Sequence, residues 1–236
     1  MTIRELKLSE RLRKTLNLPE IINIADQLPR HSSKKWPKRN FSLLQGIVVH
    51  HAASEAPIRN QALYHVNAHG WPGIAYTWCI QNEQIYQTNW LDDRTTHASG
   101  ANDISFGICV VGDLSKRAIT DFERRAITGL VLMAKEQFPH LWVKGHNQVS
   151  KTACPCTDMN RIREDIIKVE NEIAFNDSAQ KKQEIAYRIM NQMNYFYNLS
   201  LGKNPDGSPA SEGNKTWGLN MILSMEPEFR KNGFLK

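Results

Sequence analysis

The sequence predicts an α/β fold, on three observations. Short runs rich in β-branched residues, "GIVVHH" at 46–51 and "SFGICVVG" at 105–112, have the length and texture of buried strands. Other segments repeat apolar residues at three- and four-residue spacing, as helices with one buried face do. The two kinds interleave through about residue 170, the pattern of helices layered on a sheet.

Leu6, Leu8, Leu12 and Leu16 predict a helix over residues 1–17. "LPRHSSKKWPKRN", 28–40, breaks that pattern with two prolines and a cluster of bases, and reads as an exposed connection. Its Lys34, Lys35, Lys38 and Arg39 either touch an anionic partner or form a solvated loop. After the "GIVVHH" strand, a helix is expected from Ile58 to His69, stopped at Gly70, where a left-handed cap costs glycine little. "AYTWCIQNEQIYQT", 75–88, alternates as two strands joined at Asn82 and Glu83.

"TDFERRAITGLVLMAKEQF", 120–138, carries the clearest helix signal. Thr120 and Glu123 form a capping box, Phe122, Ala126, Leu130, Ala134 and Phe138 share a face, and Pro139 marks the stop. "RIREDIIKVENEI" continues as a helix, "FNDS" at 175–178 interrupts it, and a further helix follows with Ile185, Ile189, Met193 and Phe196. "GKNPDGSPASEGNKTWG", 202–218, is turn-rich. A boundary near residue 175 then separates a main domain, 1–175, from a mainly helical region, 176–236. In that tail eight lysines and arginines meet six acidic residues, and Tyr195, Phe196, Tyr197 and Trp217 form either a sugar platform or a small core.

With 236 residues, 41% of them hydrophobic, the chain can bury a full core. No apolar run approaches the roughly 18 residues of a membrane span. The amino-terminal stretch mixes both charge signs and lacks the apolar centre of a secretory signal, so the expected place is the cytoplasm until something releases the protein. Cys79, Cys109, Cys154 and Cys156 are too few and too unevenly placed for a disulfide framework, which leaves free thiols or metal ligands. A formal charge of +6 favours encounter with a polyanion without choosing among nucleic acid, anionic lipid and a cell-wall polymer.

One stretch concentrates potential ligands: "GHNQVSKTACPC", 145–156, with His146, Cys154 and Cys156 on an irregular connection. His50 ends a buried strand. Three such ligands plus an open position form the arrangement by which zinc lowers the pKa of a water to about 7. A rival pair, His65 and His69, lies four apart on the expected helix, but Val66 stands where a zinc protease of that type needs its glutamate. Two ordinary helix histidines is the plainer use of that pair.

Four blocks, "VVHHAAS", "GWPGIAYTWCI", "THASGANDISFGICVVGD" and "GHNQVSKTACP", occur in the order and approximate spacing of the type-2 N-acetylmuramoyl-L-alanine amidases, a group that includes phage endolysins and peptidoglycan recognition proteins. The chain resembles that family over about residues 40–165. The resemblance implies a mixed central sheet flanked by helices, and zinc held by His50, His146 and Cys154. It places Tyr76 and Thr152 at the chemistry, Tyr76 assisting proton transfer and Thr152 stabilising the oxyanion. Trp71, His97 and Asn102 fall along its substrate groove, although His97 and Asn102 serve equally well as hydrogen-bonded loop residues. Trp71 and Trp90 each suit either a sugar face or the core.

The match has departures. Thr77 stands where many relatives have a histidine after the tyrosine, Cys109 replaces a glutamate proposed as base in some cytoplasmic relatives, and Cys156 is an addition. The implied function is zinc-dependent cleavage between N-acetylmuramic acid and L-alanine in bacterial peptidoglycan, by a phage or prophage endolysin that reaches the wall after membrane permeabilisation. Peptidoglycan is then the partner, with anionic wall polymers drawn by the basic surface and no nucleic acid. Two alternatives are a binding-only receptor, against which the complete ligand set argues, and a cytosolic muropeptide-recycling amidase, against which the missing glutamate and the extra tail argue.

Overall fold

In the computed structural model, which describes residues 3–204, 208–216 and 218–220, six strands form one sheet among the described residues. They are β1 (Ile22–Asn23), β2 (Gly46–His51), β3 (Trp78–Gln81), β4 (Gln84–Gln87), β5 (Ser105–Val110) and β6 (Trp142–Gly145), in the spatial order β1-β4-β3-β5-β2-β6. All pairs are parallel except the β3-β4 hairpin, so the sheet is mixed. β2 and β5 lie inside the sheet and are buried almost throughout, which is why they read as continuous apolar runs rather than alternating ones. The hairpin turns at Asn82 and Glu83, both left-handed at φ 52° and 54°, as a two-residue turn matched to strand twist requires.

The helices follow local signals. α2 (Ile58–His69) ends on Gly70 at φ 61°. α3 (Asp121–Gln137) begins with both halves of the Thr120–Glu123 capping box in place and buries Ile127, Leu130 and Val131. Arg117 adds a two-pronged ion pair to Glu123 (2.7 and 2.9 Å), anchoring the loop that enters α3.

Several expectations need correction. The first helix, α1, covers only Glu10–Leu16: Ser9 caps it, and upstream the Arg4 carbonyl accepts bonds from Leu91 N–H and from Gln87 Nε2, which hold that segment against the sheet instead. β1 and β6 carry no strand signature of their own and are strands because β4 and β2 pair with them. "FNDS" breaks nothing, because α4 runs from Met159 to Ser200; Asn, Asp and Ser each cost a helix only a few tenths of a kcal/mol, far less than proline. The basic connection is partly interior: Trp36 and Arg39 are buried, Arg39 bonds the carbonyls of Asn102 and Asp93, and Lys38 is paired with Asp92 and Asp93. Arg39 is therefore spent inside the fold, Lys38 is paired at the surface, and Lys34 donates to the Gly70 carbonyl.

The chain divides into two compact units, Met1–Glu170 and Asn171–Lys236. The first holds the sheet. In the second, Lys203 and Pro209 form an antiparallel bridge and Asn204 bonds Ser208 and the Pro209 carbonyl. Of the tail aromatics, Tyr197 is exposed, while Trp217 and the side chains of Tyr195 and Phe196 lie outside the described residues. No described helix is long and apolar enough to cross a membrane.

Candidate metal centre and groove

The register of β2 builds the centre. β2 lies between β5 and β6, all three parallel, with Val49 opposite Gly145 and His50 opposite Cys109. His50 is thus the penultimate residue of β2 while His146 emerges one residue beyond β6, beside it, at the carboxyl ends of the strands where open parallel sheets place their ligands. The two rings are 4.5 Å apart between centroids.

Cys154 arrives by a return of the following loop. Asn147 N–H donates to the Cys154 carbonyl (2.6 Å), folding 152–155 back onto the turn at His146–Gln148. Gly145 is required there: a Cβ would come within 2.7 Å of Asn147 Oδ1, 2.8 Å of Pro155 Cδ and 2.9 Å of Met159 Cγ. The sulfur ends 3.9 Å from His50 Nδ1 and 3.4 Å from the His51 amide, which donates to it. One ligand atom from each of His50, His146 and Cys154 lies within 4.8 Å of the others, and Cys156 does not belong to this set. The Cys156 thiol instead donates to the Ala153 carbonyl (3.3 Å).

Electrostatics suit a cation. Burial drives His50 well below the usual histidine range, reinforced by His97, His146 and His51, and burial lowers His146 as well. Both imidazoles are therefore neutral at pH 7, the form that ligates. Burial pushes the Cys154 thiol up to about 11, so it ionises only when a positive charge is supplied. Two neutral imidazoles and one thiol are a borderline-soft donor set with room for a fourth ligand, which fits zinc.

The centre floors a groove of ≈ 530 Å³. Trp71, Tyr76, His97 and Thr152 line it; Asn102 and Trp90 do not. Tyr76 packs against His50 (5.2 Å between rings), and its carbonyl is held by Thr88 Oγ1 and Asn89 Nδ2. Desolvation, followed by the nearby Cys109, Cys79 and Cys154, raises the Tyr76 hydroxyl well above the ordinary tyrosine value, so it keeps its proton. Thr152 is exposed, and its oxygen accepts from Cys154 N–H (3.2 Å). Trp71 stacks on His69 (4.5 Å, 21°) on the α2 side.

Two of the expected groove residues have their polar atoms engaged. His97 is buried, with Nδ1 3.0 Å from His50 Nε2 and Nε2 3.2 Å from the Ser105 carbonyl, and burial lowers it to about 3. Asn102 Oδ1 accepts from the His97 and Ala98 amides (2.8 Å each), so it shapes the loop that carries His97 rather than facing the groove. Trp90 donates to Asp26 and carries Arg4 over its ring. Both helix histidines line the groove: His65 accepts from Ala75 N–H, and burial lowers it to about 4, while His69 braces Trp71.

Asn89 is the residue that sequence reading overlooked. It is fully buried; Nδ2 donates to the Ile74 and Tyr76 carbonyls, and Oδ1 accepts from Arg30 and Trp36. All four bonds of the carboxamide are thus used to fix the segment that carries Tyr76. Nothing in "TNWL" distinguishes this asparagine from one in a surface turn.

A family model described as N-acetylmuramoyl-L-alanine amidase matches residues 40–157. Peptidoglycan-recognition protein SC2 of Drosophila melanogaster is 27% identical over 157 residues, 61% of this chain and 84% of that protein. An endolysin of Klebsiella phage KP32 is 26% identical over 141 residues, 56% of this chain and 89% of its own. Among solved structures, the N-acetylmuramoyl-L-alanine amidase LysC from Clostridium intestinale URNW shares the fold with a TM-score of 0.52 at 21% identity, over 63% of this chain and 97% of that one. Drosophila peptidoglycan recognition protein SD does so with a TM-score of 0.52 at 23% identity, over 58% and 88%.

Proposed function

Because the chain belongs to the N-acetylmuramoyl-L-alanine amidase family, we propose that it hydrolyses the amide between the lactyl group of N-acetylmuramic acid and L-alanine in bacterial peptidoglycan, with zinc, as an endolysin. The observation that carries this reading is the convergence of His50, His146 and Cys154 within 4.8 Å on the floor of an open groove. When bound there, zinc supplies Lewis acidity toward water and the scissile carbonyl.

The chain's own groups supply the rest. Tyr76, protonated at neutral pH, is a donor and not a base: its hydroxyl serves the carbonyl oxygen as it gains charge, or the departing nitrogen as it gains a proton. Thr152 has its lone pair bonded by Cys154 N–H, which turns the hydroxyl hydrogen outward as a donor to the oxyanion. Trp71, braced by His69, offers an apolar wall to the substrate. Water adds to the carbonyl carbon, the C–N bond breaks, and the products are a lactyl carboxylate and a free L-alanine amine. Endolysin relatives support release onto the wall from inside the producing cell.

Incubation of zinc-loaded protein with purified peptidoglycan tests this. Mass spectrometry should find new amino termini on L-alanine, no new reducing sugar ends, and neither in Cys154→Ser. Binding without cleavage would replace the amidase reading with a receptor reading, for which the recognition-protein relatives are the precedent.

A further inference from the structure

His50 has Nδ1 toward the Cys154 sulfur and Nε2 3.0 Å from His97 Nδ1. Two neutral imidazoles in such contact share one proton, and that contact alone leaves donor and acceptor unassigned. The next link assigns them. His97 Nε2 lies 3.2 Å from the Ser105 carbonyl, which only accepts, so the His97 proton is on Nε2. The Ser105 hydroxyl, 3.4 Å from the same nitrogen, donates its own hydrogen to the Ala101 carbonyl (2.7 Å) and so also presents a lone pair. His97 Nδ1 is thereby an acceptor, His50 Nε2 must carry hydrogen, and His50 Nδ1 keeps a bare lone pair.

We propose that His97 is a positioning residue which, through the chain Ala101–Ser105–His97–His50, locks His50 in the tautomer whose Nδ1 lone pair faces the metal position. This rests on the reading of His50, His146 and Cys154 as metal holders. The ring has a made seat. Gly107 lies against it, where a Cβ would meet His97 Cγ at 3.0 Å and Nδ1 at 3.1 Å, and Asn102 clamps the His97 and Ala98 amides. The ligand is thus oriented before an ion arrives, and partners that orient a ligating histidine in this way typically contribute about 10–100-fold to metal affinity.

Long-range proton–nitrogen NMR of the metal-free, full-length protein reads the tautomers directly. The expected spectrum has His50 and His97 both protonated on Nε2. In His97→Phe, His50 should become a tautomer mixture, and the zinc dissociation constant, measured by chelator competition, should rise about 10–100-fold. His97→Gln, whose carboxamide can accept from His50 and donate to Ser105, should recover most of both. His50 protonated on Nδ1 in the wild-type protein would overturn the proposal, as would a folded His97→Phe with unchanged His50 tautomer and zinc affinity. If His97→Phe fails to fold, the wild-type spectrum and His97→Gln still decide. A wild-type protein with the expected tautomers that takes up no zinc would sink the metal reading and leave the proton chain standing.

Discussion

Zinc affinity should rise at least tenfold for each unit of pH above neutrality. The ligating form of Cys154 is the thiolate, and burial holds its thiol at about 11 in the metal-free protein. At pH 7 about one molecule in ten thousand has the thiolate ready, so binding must displace the proton. His50 and His146 contribute none, because burial holds both below the usual histidine range and they are already neutral. One ion therefore displaces one proton from the protein, and above about pH 7 water held by the ion adds to the count. The thiol alone adds one per pH unit to the logarithm of the association constant from about pH 7 toward its pKa; the slope steepens toward two as water held by the ion loses its proton above about pH 7, and steepens in acid where the imidazoles begin to protonate. Chelator competition from about pH 7 to 9, corrected for protonation of the chelator, measures the slope, and calorimetry in two buffers of different ionisation enthalpy counts the proton independently. A slope near zero, with no proton released, would mean that Cys154 is not a ligand or is already ionised. A slope above two would mean that a second protonated group of the protein takes part.

Three further outcomes follow from the geometry. Tyr76→Phe should lower turnover tenfold or more while zinc content stays at the wild-type level, and unchanged turnover would remove Tyr76 from the chemistry. Asn89→Ala should destabilise the fold by about 2–4 kcal/mol, because it strips partners from the buried carbonyl of Ile74 and from Arg30; denaturant unfolding with a wild-type midpoint would refute that account. Gly145→Ala should cost about 1–3 kcal/mol and weaken zinc binding together, since the added methyl enters space filled by Asn147, Pro155 and Met159; loss of neither would show that the loop yields freely.

How much could be read from the residues depends on how far apart the determining contacts lie. α2, α3 and the β3-β4 hairpin are written in local signals: a glycine at the left-handed cap, a capping box, two residues that accept positive φ. β6 was not legible, since "WVKG" becomes a strand only through pairing with β2. The buried place of Arg39 was hidden for the same reason, because its partners are the carbonyls of Asn102 and Asp93 and its charge suggests solvent. In the site, ordered blocks sufficed to single out His50, His146 and Cys154, and the described structure brings them together. The work of Asn102 and Asn89 was not visible, since an asparagine that faces a ligand and one that ties carbonyls inside a loop share the same letter. The sequence allows His97 either a groove or a loop use, and its contacts with His50 and the Ser105 carbonyl are visible only in the fold.

The order in which the chain is made bears on the centre described above. His50 and Cys154 stand 104 residues apart, with β5 and α3 between them, and β6 can join β2 only after both have formed. Contacts of such separation form late in folding, and a chain leaving the ribosome exposes its amino-terminal elements first. His50, and then His97, thus leave the ribosome well before a second candidate ligand has been made. The three-residue cluster is complete only once residue 154 has emerged and its loop has folded back, and a product cut short before it keeps His50 and His146 without the third candidate ligand.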